Sequence, residues 1–253
     1  MVGGAGGVGQ TVSRAFSEKG NRVVLADVNL ERLRGVAKEI GRDTLHFQVD
    51  VKNEESVSKL IENVINETGR IDSLFAVHGV TQGKIPVYQR SLQEWEFVLG
   101  VNLTGSFLCI KHAAPFMIRQ KKGCIVALTT SRARPDDAPY YTSKMGIEGL
   151  VGSAALDLKD KGVGVYVVAP GGYLSTSFHD HSYELMKYDN FIPDNEMREH
   201  QRAIRPEVVV PLFLHLNENV PLDLVGKKIT AIDWNEQHGL GREPWYYQKT
   251  PST

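Results

Sequence analysis

Tyr140 and Lys144 stand four residues apart in Tyr140-Tyr141-Thr142-Ser143-Lys144, so on a helix both side chains leave the same face. A phenol beside an ammonium can shuttle a proton. A free phenol titrates near pH 10, and bringing it to neutrality takes a shift of about three units, or roughly 4 kcal/mol. One positive charge about 4 Å away supplies roughly 4 kcal/mol at an effective dielectric of about 20. The pair is therefore sufficient in energy. Taken alone, Tyr-x-x-x-Lys is as easily a helix start with a solvated lysine, and the rest of the chain must decide.

A second group of residues points to a cofactor. Val2-Gly3-Gly4-Ala5-Gly6-Gly7-Val8-Gly9 precedes an amphipathic run from Thr11 to Lys19. A glycine-rich turn opening a helix lets the backbone approach a pyrophosphate and aims N–H groups at it. The apolar strand Arg22 to Ala26 then ends in Asp27. An acid about 20 residues after the turn suits the ribose hydroxyls of NAD and repels the extra phosphate of NADP. No arginine follows Asp27 directly, and Gly6 rather than a basic residue precedes Gly7. NAD is the expected cofactor.

These residues need a scaffold, and the pattern supplies one. Helices are expected over 30–40, 56–67, 92–117 (interrupted near Gly100 and Gly105) and 140–159, with strands over 44–49, 71–77, 123–130, 163–169 and 224–233. Strands alternating with helices of ten or more residues imply βαβ units and a parallel sheet. The fold class is α/β, a single-domain Rossmann-type doubly wound parallel sheet with helices on both faces. One domain over 1–253 is expected, without internal repeat or linker.

Composition agrees. Hydrophobic residues make up 42% and charged residues 23% of the 253 residues, enough for a large core. A net charge of −1 gives no basic surface for nucleic acid or an anionic membrane. Cys109 and Cys124 lie in apolar surroundings without metal-ligand spacing and read as reduced core residues, as in a cytoplasmic protein. No apolar run of membrane-spanning length and no signal peptide are read from the sequence.

Together these landmarks resemble the short-chain dehydrogenase/reductase family, NAD(P)-dependent oxidoreductases of about 250 residues. The resemblance runs from Gly3 to about Asp233. It rests on the glycine turn, Asp27, Asp50-Val51, Val101-Asn102, Tyr140 to Lys144, Val168-Ala169-Pro170-Gly171, and Arg205 to Val209 as a late helix start. By that resemblance Tyr140 is the general acid/base, Lys144 lowers its pKa and holds the nicotinamide ribose, and Asn102 supports a proton-relay water. Gly3, Gly7, Val8 and Gly9 would cradle the pyrophosphate, with Asp27 on the adenosine ribose and Asp50 and Val51 flanking the adenine. Pro170 and Gly171 would pack near the nicotinamide, and Ser175 or Thr176 would bond its carboxamide. The expected reaction moves a hydride between nicotinamide and a secondary alcohol or ketone.

Four departures from the family pattern are visible. The substrate-holding serine is replaced by Leu128-Thr129-Thr130-Ser131-Arg132: Thr130 keeps the strand register and Ser131 the residue type, with Ser131 favoured. Tyr141 is a rival for Tyr140, but its three-residue spacing to Lys144 does not fit. Ala76-Val77-His78-Gly79 stands where the family has Asn-Asn-Ala-Gly, which leaves His78 and Gly79 to line the cofactor pocket. Residues 175–202 are polar and aromatic, the place of the substrate lid. They lack a long apolar stretch, which points to a small polar alcohol, polyol or sugar derivative. His179-Asp180-His181 offers no third ligand, so no metal is expected. Arg132 and Arg134 are placed to reach an anionic substrate. Finally, the chain opens at Met1-Val2, where the family has a central strand. That strand is expected to be missing or truncated, with two rows of backbone groups exposed in consequence.

Residues 234–253 form a C-terminal tail whose Trp245, Tyr246 and Tyr247 suit a subunit contact, so a homo-oligomer, tetramer or dimer, is expected. The alternative reading is a catalytically weak NAD-binding sensor or scaffold protein, favoured by the altered residues before Gly79 and at Thr130-Ser131. The intact Tyr140, Lys144 and Asn102 favour the enzyme.

Overall fold

The computed structural model describes the chain apart from residues 42, 84, 132, 134, 172, 175–202 and 241–253. The proposed lid with Ser175, Thr176, His179 and His181, together with Arg132, Arg134 and the aromatic end of the tail, lies outside the described residues.

Strands β1 (Val24–Asp27), β2 (Leu45–Gln48), β3 (Ser73–Ala76), β4 (Gly123–Leu128), β5 (Val163–Ala169) and β8 (Lys228–Thr230) all pair in parallel. A two-residue parallel pair, β6 (Tyr173–Leu174) with β7 (Ala203–Ile204), flanks residues 175–202. β5 is rich in valine, and β4 and β5 are buried throughout, as in a sheet covered on both faces. Period-two alternation divides their side chains. Phe75, Val126, Leu128, Tyr166 and Val168 share one core with α1 (Gly7–Glu18) and α2 (Leu30–Ile40), joined by α7 (Val210–Asn219) and α8 (Ala231–Gln237). Leu74, Ile125, Ala127, Val165 and Val167 share the other with α3 (Glu54–Thr68), α5 (Gly105–Gln120) and α6 (Ala138–Leu158).

The centre of the sheet is unusual. Among the described residues, ladders β2-β1 and β3-β4-β5-β8 are joined at Val2, which bridges Ala26 on one side and Ala76 on the other. Val2 donates to the Phe75 carbonyl at 2.9 Å and accepts from Val77 at 3.0 Å, while the Met1 carbonyl accepts from Ala26 at 2.8 Å. Met1 and Val2 thus occupy the place of the expected first strand. Behind them lies a cavity of about 260 Å³ between β1 and β3, walled by Phe16, Val24, Leu60, Ile61 and Phe75. The Met1 ammonium, donating to Val24 at 2.8 Å, is buried, and burial lowers its pKa to about 6.

Two expectations change. The run from Leu92 forms α4 (Leu92–Leu99), a π-turn over Gly100–Thr104 and then α5, a continuous helical stretch of 29 residues with mean hydropathy 1.3 in its most apolar window. By length and composition alone it is long and apolar enough to cross a membrane. Half of that window is buried, and the rod packs on α3, α6, β3 and β4 as a core helix. The strand expected over 224–233 shrinks to β8, because a turn at Gly226 precedes it and Ala231, Trp234 and Asn235 bury one face of α8. Asn235 fixes that helix by donating to the Val208 carbonyl at 3.0 Å.

Candidate active site

The glycine turn follows directly from Val2. Gly3 adopts φ +87°, and a Cβ there would stand 2.6 Å from the His78 nitrogen, so no side chain fits. A Cβ on Gly9 would stand 2.1 Å from the Gly3 carbonyl oxygen, which lets α1 begin tight against the turn. Its N-cap, Gly6, offers no side-chain cap, so the N–H groups of Gly7, Val8 and Gly9 open toward the cleft. Asp27 ends β1 beneath this turn. Its Oδ2 accepts from the Ala5 N–H and its Oδ1 from the Asn29 N–H, both at 3.1 Å.

A cleft of about 390 Å³ runs over the carboxyl ends of the strands. It brings together Gly3, Gly7, Val8, Gly9, Asp27, Asp50, Val51, His78, Gly79, Thr130, Ser131, Tyr140, Lys144 and Pro170. Sites of this type form where strand order reverses, here at Val2 between β1 and β3. The turn without room for a Cβ, the uncapped helix start and the facing carboxylate together fit a dinucleotide.

Tyr140 and Lys144 leave α6 one turn apart, and the Lys144 Nζ lies 5.5 Å from the Tyr140 ring centroid. Pro139 lies in the first turn of this helix, where its missing N–H costs nothing. The ammonium is buried and donates to the Leu128 carbonyl at 3.0 Å, and burial lowers its pKa to about 8. About nine-tenths of it is still charged at pH 7. Burial also pushes His78 down to about 3, with the Lys144 charge adding to the effect and the Val101 backbone opposing it. His78 is therefore a neutral imidazole in the cleft wall.

The end of β4 is held from below. Thr129 Oγ1 donates to Glu148 Oε1 at 2.7 Å, and Lys228 Nζ reaches both Glu148 at 2.8 Å and the Thr130 carbonyl at 2.8 Å. Alternation then turns Thr130 away from Thr129, and both Thr130 and Ser131 line the cleft.

Asn102 and Gly171 are not on the cleft wall. Asn102 is fully buried in the π-turn: its Oδ1 accepts from the Val80 N–H at 2.8 Å, and its Nδ2 donates to the Val80 carbonyl at 3.0 Å and Ser143 Oγ at 2.9 Å. Its side chain braces the loop after β3 against the helix of Tyr140. Gly171, at φ +105°, turns the chain where a Cβ would stand 2.9 Å from Ile232. Sequence reasoning missed Val28, Lys52 and Phe97, which wall the far end; Lys52 Nζ stands 5.2 Å from the Phe97 ring centroid. Lys52 directly follows Asp50-Val51, and that adjacency was the available signal. Nothing in the pattern signalled Phe97, which is brought in by α4.

A parallel sheet with its cleft above the reversal at Val2 defines a Rossmann-type dinucleotide-binding protein. More narrowly, the chain belongs to the short-chain dehydrogenases: the family model described as short chain dehydrogenase matches residues 1–185. An uncharacterized oxidoreductase of Thermotoga maritima is 32% identical over 183 residues, covering 70% of this chain and 71% of that protein. Tropinone reductase-like 1 of Erythroxylum coca is 32% identical over 181 residues, covering 69% of this chain and 66% of its own length. The crystal structure of NAD+-bound xylitol dehydrogenase superposes with a TM-score of 0.82 at 26% identity, covering 90% of this chain and 95% of that one. Oxidoreductases of this family act on alcohols and ketones with a nicotinamide cofactor, NAD or NADP.

Proposed function

We propose that this protein is an NAD-dependent oxidoreductase that interconverts a secondary alcohol and its ketone, the substrate being a small polar alcohol, polyol or sugar derivative. The observation that carries this reading is the shared cleft: Tyr140 and the buried Lys144 ammonium stand at one end, and the glycine turn and Asp27 at the other. Gly3 and the N–H groups of Gly7, Val8 and Gly9 would hold the pyrophosphate, and Asp27 the adenosine ribose. Asp50, Val51 and Lys52 would border the adenine, and His78, Gly79 and Pro170 the nicotinamide half. When bound, the nicotinamide supplies the hydride acceptor or donor.

The remaining work falls to the chain's own groups. Ser131, or Thr130 beside it, donates a hydrogen bond that fixes the substrate oxygen. Tyr140 Oη takes the hydroxyl proton in oxidation and returns it in reduction. Lys144, its Nζ 5.5 Å from the Tyr140 ring centroid, stabilises the phenolate form by its charge, an effect worth roughly 3 kcal/mol at such a separation and an effective dielectric of about 20. Asp27 disfavours a 2′-phosphate, which supports NAD over NADP. In this reading the protein works as a homo-oligomer, tetramer or dimer, in the cytoplasm.

The test is NAD(H) and NADP(H) binding by fluorescence, followed by a panel of secondary alcohols, polyols and sugars with Tyr140→Phe as control. Turnover that depends on Tyr140 carries the enzyme reading. Tight cofactor binding without turnover across the panel would replace it with a sensor or scaffold protein.

A further inference from the structure

Arg90 lies outside the cleft, yet its side chain is only 3% exposed. It follows the 3-10 turn Val87–Gln89 and precedes Ser91, which caps α4 in a reciprocal box with Glu94. Its Nη2 donates to three backbone carbonyls: Gly83 at 2.7 Å, Ile85 at 3.1 Å and Asp136 at 2.9 Å. Its Nη1 lies 3.7 Å from Glu94 Oε1, which returns charge to the buried guanidinium.

The carbonyls belong to two different loops. Gly83 and Ile85 lie in the loop that leaves β3 through His78, Gly79 and Val80, all on the cleft wall. Asp136 lies in the loop that carries Ser131 away from β4 and delivers Tyr140 to the start of α6. Asp136 is also one of the non-glycine residues at positive φ, +62°, in the left-handed region that aspartate enters more readily than most side chains. Lys228 pins the other end of the same loop at the Thr130 carbonyl. The loop is therefore held at its start by a cation from β8 and at its end by a cation from the approach to α4. The glycine turn makes none of the hydrogen bonds given for Arg90.

We infer that Arg90 is a positioning residue: by joining the 83–85 and 131–137 loops it sets where Ser131 stands relative to Tyr140. This rests on the enzyme reading for its kinetic consequence, while the joining of the loops does not. A misplacement of about 1 Å at a reacting group costs about a hundredfold in rate. A group that only supports the fold would lower cofactor binding and substrate turnover together. One that sets the Ser131 loop lowers the rate far more than it lowers cofactor affinity.

The experiment compares the whole chain with Arg90→Ala and Arg90→Met, each with and without ethylguanidinium. Hydrogen exchange of segments 81–86 and 131–139 reads the loops without any substrate. NADH affinity by fluorescence and kcat/KM with NAD+ and xylitol read the site. Exchange in both segments rises at least about tenfold in the variants, kcat/KM falls about tenfold to a hundredfold, and NADH affinity stays within about twofold. Ethylguanidinium restores exchange protection and rate in Arg90→Ala but not in Arg90→Met, whose side chain fills the space. Unchanged exchange in 131–139, or NADH affinity falling in step with rate, overturns the inference. If the unaltered chain turns over neither xylitol nor any other member of the panel of secondary alcohols, polyols and sugars while the exchange result holds, the enzyme reading has failed and the joining of the loops stands.

Discussion

The Lys144 ammonium donates to the Leu128 carbonyl across 3.0 Å, tying the helix that bears Tyr140 to the strand end that bears Thr130 and Ser131. One buried charge thus serves two purposes. It ties α6 to the end of β4, and in the proposed reaction it would also supply the field that makes a Tyr140 phenolate accessible.

That burial has a pH signature. Lys144 titrates near 8 in the folded chain, whereas an unfolded lysine titrates near 10.4. Between those values the unfolded state binds more protons, so this group's contribution to stability rises with pH, and below about 8 its cost is fully present. Urea midpoints of the natural chain should therefore gain on those of Lys144→Met from pH 8 to 10.5. Turnover at neutral pH should fall by about 10²- to 10⁴-fold in the variant. A parallel pair of stability curves would mean the ammonium is solvated.

Asp27 should govern cofactor choice. Replacing it with Ala removes the acceptor of the Ala5 N–H and the charge at the proposed adenosine ribose site. Loss of a charged hydrogen bond of about 1.5–3 kcal/mol weakens NADH binding by about tenfold to a hundredfold. NADPH, no longer repelled, should lose less or gain. Fluorescence titration of both cofactors decides it, and equal binding of the two by the unaltered chain would refute the assignment.

Asn102 is expected to matter for stability before it matters for rate. Asn102→Ala leaves the Val80 N–H without its acceptor in a buried site and strips a donor from Ser143. The expected loss is about 2–4 kcal/mol. Denaturant unfolding would show it as a lowered midpoint at constant slope. A variant as stable as the parent would leave the brace without energetic weight.

Joining two or three β-branched residues ahead of Met1 should raise the melting temperature. The addition fills the cavity between β1 and β3 and turns a buried ammonium into an amide. The Met1 amine, held near 6 against an ordinary value of 8.0, makes stability rise with pH across that window. The extended protein should lose that slope, worth up to about 3 kcal/mol. Calorimetry at pH 6 and pH 8 on both proteins measures it. An identical slope in the two would place the Met1 amine in water.

Much of this molecule was legible in its amino-acid order, because the relevant signals are local. The alternation of strand and helix, the glycines before α1, Asp27 at the end of β1 and the four-residue step from Tyr140 to Lys144 depend on periodicity and backbone conformation. The boundaries of α2 and β5 match the sequence reading residue for residue. Ends were read less well where tertiary contacts decide them, as at β8, which yields to α8 once Trp234 and Asn235 find a buried face.

Tertiary structure alone decided the rest. No local pattern says that Val2 can pair with two strands at once, since Ala26 and Ala76 are brought to it by separate crossovers. Nor does any pattern say that Asn102 turns its amide onto Val80, or that Arg90 spans 46 residues of sequence to reach Asp136. Buried polar groups must find partners, and which partners they find depends on which loops the sheet places side by side. Residue types and short spacings set the chemistry available to this chain; the packing of distant segments set where that chemistry stands.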